Sequence, residues 1–401
     1  MTEMTSDVDR TDRKTGRPGD RRHPAYEFVE RGGRPTLVLR SFSLASALLR
    51  LKEGTRQAGF SADVVLAGPL RPPMLYVEGA AHREQRRLAA VFFTPKAVAT
   101  KHRETIVTLA DELVTDLERR GEGRLDLASF RLAMRVVCEV VGLTDSDIGA
   151  MESLLDRYFQ TPPAPDAPLL SRLRRRVLEQ VITARFYLHH VRPAVRARRA
   201  NPRDDVISRL IAQGLRDRDL LVECVTYAAA GMVTTRQFIS VAAWHLLERP
   251  DLRARFVGGS DAERRRVLQE IIRLDSVAGH LLRTATTDLS LDGADGAIHI
   301  PQGTLIDLEL GAANTDEPVF GSHPLLLDPD RQIATEAGPS GLAFGAGHHS
   351  CPGEYLAFEE TDLFLQRFLR SEWTLVGTPT IGWNDVVLAF DISDLVVRRV
   401  S

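Results

Sequence analysis

Apolar residues recur at intervals of three and four along most of the chain, the period of amphipathic helices. Leu44, Leu48 and Leu51 share one face. Ile106, Leu109, Leu113 and Leu117 share a second, and Leu173, Val177, Val181 and Leu188 a third. The longest run, Leu220 to Arg249, meets no proline before Arg249-Pro250, where a helix stops. At about 1.5 Å per residue such a helix crosses most of a domain. Strand patterns are fewer. Thr36–Arg40, Thr304–Leu310 and Leu388–Val400 read as strands, and Thr287–Leu291 with Ala297–Ile300 as a hairpin across Asp292-Gly-Ala-Asp-Gly296. The expected class is mainly α with small β sheets, and no linker separates independent domains.

Composition narrows the partners. With 401 residues, 43% of them hydrophobic, the chain can bury a large core. A net charge of −2 gives no global attraction to nucleic acid or acidic lipid. No apolar run approaches the roughly 18 residues needed to span a bilayer. Met1–Arg22 holds six basic and five acidic residues and almost nothing apolar. That composition predicts a disordered charged tail, not a secretory signal, and a cytoplasmic protein whose single domain covers 23–401. Nine arginines between Arg172 and Arg199 face one acid, Glu179. The regular apolar positions among them favour the solvated side of a helix over a nucleic-acid or lipid patch. Three cysteines, Cys138, Cys224 and Cys351, build no disulfide framework, and their odd number suits a reducing compartment.

The segment Phe344-Gly-Ala-Gly-His-His-Ser-Cys-Pro-Gly353 carries the chemistry. Its glycines permit tight turns. Backbone N–H groups in such a loop, and the helix expected from Glu354 to Leu369, favour a thiolate at Cys351. Zinc on His348, His349 and Cys351 lacks a fourth ligand. A Cys/His nucleophile and an inert buried cysteine both remain open on the residues alone.

The spacing Phe-Gly-x-Gly-x-His-x-Cys-x-Gly, followed by Leu356-Ala357, resembles the haem-binding signature of cytochromes P450. The likeness extends from about His82 to the C-terminus. It implies the P450 fold, a helix-rich lobe with a small β-rich lobe, and haem b with Cys351 as the iron ligand. It makes Phe344, Gly345 and Gly353 part of the cofactor loop, and His82, Arg86, Arg283 and His349 the partners of the propionates. Glu270-Ile-Ile-Arg273 resembles the family's Glu-x-x-Arg pair, with Arg331 as its third member.

In the long helix, Ala230-Gly231-Met-Val-Thr234-Thr235 resembles the family's oxygen-binding segment, where small residues give O2 and substrate room. The family has an acid where this chain has Val233, and valine relays no proton. Ordinary monooxygenation through ordered water is one reading of that change; oxidative coupling or substrate-assisted oxidation is another. Candidate substrate contacts are Tyr227, Phe238, Val277, Ala278 and His280, with the segments Phe60–Tyr76 and Leu154–Leu188. They imply a hydrophobic or aromatic small molecule and a biosynthetic tailoring step. Electrons would come from a ferredoxin or flavodoxin and its NAD(P)H-dependent reductase, docking near Arg83, Arg87 and His348. Neither nucleic acid nor membrane is an expected partner. A non-catalytic haem-thiolate sensor is the rival class.

Overall fold

The computed structural model describes residues 11–15, 23–59, 71–159, 169–294, 296–334, 336–384 and 388–400. The principal helices among the described residues are α1 (Phe42–Arg50), α2 (Gly79–Ala90), α3 (Arg103–Arg120), α4 (Leu125–Val141), α5 (Leu169–Phe186), α6 (Asp217–Ala228), α7 (Thr234–Glu248), α8 (Asp261–Leu274) and α9 (Glu354–Phe368). The long apolar run becomes α6 and α7, joined by a wider π-helical turn at Ala229–Val233. Ile239, Val241, Ala242, Ala243 and Leu246 of α7 are fully buried, because α4, α8 and α9 surround this helix. Their side chains join those of α3 in the larger hydrophobic cluster. Helix α8 begins where the Ser260 hydroxyl accepts the Glu263 N–H at 3.3 Å, an N-cap.

A smaller cluster lies on a five-stranded sheet. Its strands are β1 (Tyr26–Arg31), β2 (Arg34–Leu39), β3 (Thr55–Ala58), β4 (His280–Ala285) and β5 (Leu305–Glu309). The order is β1-β2-β5-β4-β3, with β2 and β5 parallel and every other pair antiparallel. Leu37, Leu39, Ile306 and Leu308 pack there on α1 and Phe320. Leu289–Gly293 and Gly296–Ile300 form the expected hairpin.

Three expectations change. The apolar stretch from Leu388 is two strands, not one. Ala389–Ser393 pairs with Thr380–Asn384, whereas Val396–Arg399 pairs with Glu122–Arg124 and Trp373–Leu375. Asp394, at φ 56°, turns the chain between them. The third helical stripe faces outward: Val177, Val181 and Leu188 are about half exposed, while Ile182 and Phe186 are buried. That segment is apolar on two faces, so periodicity alone did not choose between them. The charged N-terminus is not simply a free tail. Asp12 N–H donates to Leu325 O (3.0 Å), Arg13 donates to Leu274 O (2.9 Å) and Gly311 O (2.7 Å), and the Thr15 hydroxyl donates to buried Asp275 (2.5 Å). Residues 1–10 and 16–22 lie outside the described residues. No described helix is long and apolar enough to cross a membrane. Cys138 and Cys224 are buried in the larger cluster, where burial pushes the Cys138 thiol up to about 12 and Cys224 up as well.

Candidate active site

The cysteine loop is pressed against the end of α1. At Gly347, φ is 70° and a side chain would collide with the Leu49 carbonyl oxygen, so only glycine fits. Cys351 N–H donates to Phe344 O at 2.8 Å and closes the loop just ahead of α9. The N–H groups of Gly353 and Glu354 donate toward its sulfur, and Arg86 adds positive charge. Crowding of the sulfur by the surrounding chain outweighs these aids and raises the Cys351 thiol above its ordinary value, although the residue keeps accessible surface. A coordinated metal would remove the proton. Phe344 packs on Phe358 and Phe238, with ring centroids 5.4 and 6.5 Å away.

The polar groups beside the loop are incompletely satisfied. His82 and Arg86 stand one turn apart on α2. The His82 side chain is 2% exposed, and neither ring nitrogen has a hydrogen-bond partner. Burial, reinforced by His349 and His348, pushes His82 down to about 4, so the ring is neutral. The His349 ring lies 4.1 Å from it. Arg86 Nη2 reaches Ser350 Oγ at 3.4 Å. Arg283, on β4, is buried and donates to Gln57 of β3. Glu78, which the sequence did not single out, accepts from His348 and His349 at 2.9 and 3.0 Å.

This donor set fits an iron porphyrin. One sulfur stands next to a half-buried guanidinium, two orphaned ring nitrogens and a histidine already holding a carboxylate, the group that a haem propionate would present. Glu78, His348 and His349 also bring three ligand atoms within 4.8 Å of one another, but Cys351 is not among them.

Behind the loop, Glu270, Arg273 and Arg331 converge. Arg273 donates twice to the Glu270 carboxylate, at 2.7 Å each, and to Asn314 O (2.6 Å) and Pro324 O (2.9 Å). Arg331 donates to Glu270 at 3.0 Å and to Phe320 O at 2.7 Å.

The central helix carries the rest. The Thr234 hydroxyl donates to Ala230 O at 2.5 Å across the π-helical turn, and both residues keep accessible surface. Thr235, expected beside it, is buried on the next face. Gly231 meets a packing demand: a Cβ there would lie 2.7 Å from Val137 Cγ2 of α4. Val233 is buried.

Several substrate candidates have other work. Phe238 is 2% exposed beneath Phe344, because the π-helical turn breaks the helical phase that joined it to Tyr227. Val277 is core. His280 pairs with Asp307 at 2.8 Å, since strand alternation puts it on the face of β4 opposite Arg283. Ala278 is half-buried against the smaller cluster, and Tyr227 stacks on Phe93 at 6.2 Å. Phe60–Leu70 and residues 160–168 lie outside the described residues. One group escaped the sequence reading: Glu223, an acid inside the apolar run, is 7% exposed and burial pushes it up to about 7.

A family profile for cytochrome P450 matches residues 265–374. The chain is 30% identical over 348 residues to cytochrome P450-SOY of Streptomyces griseus, covering 83% of this chain and 78% of that protein. It is 27% identical over 306 residues to a biotin biosynthesis cytochrome P450 of Bacillus subtilis, covering 74% and 72%. Its fold matches the crystal structure of HmtN, a post-tailoring hydroxylase of himastatin biosynthesis, with a TM-score of 0.74 at 23% identity over 95% of both chains. The fold, the cysteine loop and these relatives agree: the chain belongs to the cytochrome P450 family of haem-iron monooxygenases.

Proposed function

We propose that this P450 oxidises a hydrophobic or aromatic small molecule in a biosynthetic tailoring step, with haem b as cofactor. The observation that carries the site assignment is the pair of unpartnered His82 nitrogens, buried beside His349 in front of the cysteine loop. Cys351 would ligate the iron, and His82, Arg86, Arg283 and His349 would hold the propionates. Phe344, Gly345 and Gly353 would shape the sulfur's surroundings. When bound, thiolate-ligated haem iron supplies reductive activation of O2, one oxygen atom passing to substrate and the other leaving as water.

The chain's own residues bind, exclude water and move protons. The accessible Thr234 hydroxyl gives its proton to Ala230 O and keeps lone pairs free to accept from water. Buried Val233 contributes no proton. Protons therefore reach Thr234 through water or from a group on the substrate. Monooxygenation through water is favoured by the accessibility of Thr234. Oxidative coupling or substrate-assisted oxidation is the second reading, favoured by Val233. The small Ala230 and the retained Thr234 speak for an enzyme over a sensor. Exposed Arg83 and Arg87 offer an acidic ferredoxin or flavodoxin, with its reductase, a docking face on the α2 side. A cytoplasmic location and a single domain over 23–401 complete the proposal.

A reduced, CO-treated difference spectrum tests the core of this reading. The wild type should show the Soret band of thiolate ligation and Cys351→Ala should lose it; haem-replete wild type without that band sinks the assignment. Val233→Glu separates the two chemistries: a several-fold rise in oxygenated product per NAD(P)H marks a relay limited by Val233, and an unchanged yield marks water delivery.

A further inference from the structure

Glu223 is a buried carboxyl group with no stated task. Its side chain accepts no hydrogen bond, and no cation lies within 4.0 Å of it among the described residues. Buried polar groups are satisfied in folded proteins by protein, water or ligand, and an ionised carboxylate left alone is especially unfavourable. The neighbouring charges do not satisfy it. Asp219, one turn earlier, is held by Arg216 at 3.0 Å and by the Arg71 backbone N–H at 3.4 Å. The Arg71 guanidinium acts on Glu223 only at longer range. Tyr227, one turn later, is half-buried and stacks on Phe93.

The helix fixes where this group stands. Glu223 and Ala230 are seven residues apart, two turns along one face; beyond Ala228 the π-helical turn shifts the phase, and the Thr234 hydroxyl bonds back to Ala230 O. The separation along the axis is roughly 10 Å to Ala230 and roughly 16 Å to Thr234. Between them the same face of the helix carries Tyr227, Ala230 and Gly231, with no second charge on the helix itself.

We propose that Glu223 anchors a protonated amine on an otherwise apolar substrate, whose oxidised carbon lies near Thr234, two to three helical turns away. The proposal deepens the P450 reading and rests on it. A cation both neutralises the carboxylate and donates to it. A hydroxyl would leave the charge standing, and a carboxylate ligand would be repelled. The substrate class is therefore an elongated lipophilic amine.

Spectral titration of the haem-loaded enzyme at pH 8 tests this with three ten-carbon probes: decyltrimethylammonium, decanol and decanoate. The quaternary nitrogen cannot ligate iron, so a spin-state shift reports binding in the pocket. The ammonium probe should bind at least tenfold more tightly than decanol, and decanoate more weakly than both. Glu223→Gln should erase the ammonium preference and change the decanol Kd less than twofold; Glu223→Asp should keep part of it. Decanol or decanoate binding as tightly as the ammonium, no response to ammonium probes from eight to fourteen carbons, or a preference kept by Glu223→Gln would each overturn the proposal. The reduced-CO band of the same samples is independent: its absence removes the P450 reading, whereas its presence with the wrong selectivity removes only the amine anchor.

Discussion

Two buried polar clusters, one around Glu270 and one around His82, are built on opposite principles. Around Glu270 every strong donor finds a protein acceptor. Arg273 is fully buried and makes four hydrogen bonds, and Arg331 closes the ring onto the backbone around residues 320–326. Around His82 the protein stops short: two buried nitrogens have no partner, and a histidine pair shares one carboxylate. A closed cluster holds the fold. An open one has kept its hydrogen-bonding capacity for something else. Charge and burial alone would not separate the two, because both are rich in cations and enclosed.

The largest effect should come from opening the closed cluster. Arg273→Met leaves Glu270 as a buried charge held only by Arg331 and the Asp328 N–H, and should cost about 3–5 kcal/mol in denaturant unfolding. A loss under 1 kcal/mol (roughly the value of an exposed pair) would show that the network is dispensable.

Glu223 belongs with the open groups and gives the next largest effect. Its folded pKa of about 7 lies above the ordinary 4.5, so the folded chain holds the proton longer than the unfolded one. Stability should fall as pH rises from about 4.5 and level off above about 7. Glu223→Gln removes this slope and should gain about 2–3 kcal/mol over wild type between pH 5 and 8. Parallel stability curves for the two proteins would mean that Glu223 is solvated.

His82→Phe sharpens the contrast by its sign. Removing an orphaned buried ring should stabilise the haem-free chain by about 1–2 kcal/mol, while haem transfers more quickly to an acceptor protein. Destabilisation of both forms would place His82 with the closed cluster.

The smallest effect concerns the N-terminal contact. Thr15→Val removes one hydrogen bond to Asp275 and should cost about 1 kcal/mol, since His245 still holds that carboxylate at 2.8 Å. Amide exchange at Asp12, whose N–H donates to Leu325 O, and at Leu327, whose N–H donates to the Asp12 carboxylate, should be nearly unchanged, because Asp12 is untouched.

Legibility followed the range of the interactions. The cysteine loop, the Glu-x-x-Arg pair and the long helix were readable because each is written in neighbouring residues. Arg331 was readable only through resemblance, since its partner lies 61 residues away. Phe238 lies off the face of Tyr227 because the π-helical turn at Ala229–Val233 adds a residue to the helical phase. His280 was misread because its partner Asp307 sits on the adjoining strand, a pairing that no local spacing announces. Glu223 was passed over because one acid in an apolar helix looks like a solvated position until the surrounding chain encloses it.

By itself the sequence determined the family, the helical class, the cysteine that stands apart from Cys138 and Cys224, and the missing acid at Val233. These follow from short-range order: periodicity, glycine spacing and residue type. Only the tertiary structure decided which polar groups are satisfied. A hydrogen bond needs its partner within about 3 Å, and for His82, Glu78 and Glu223 that partner, or its absence, is set by chain segments far away in sequence.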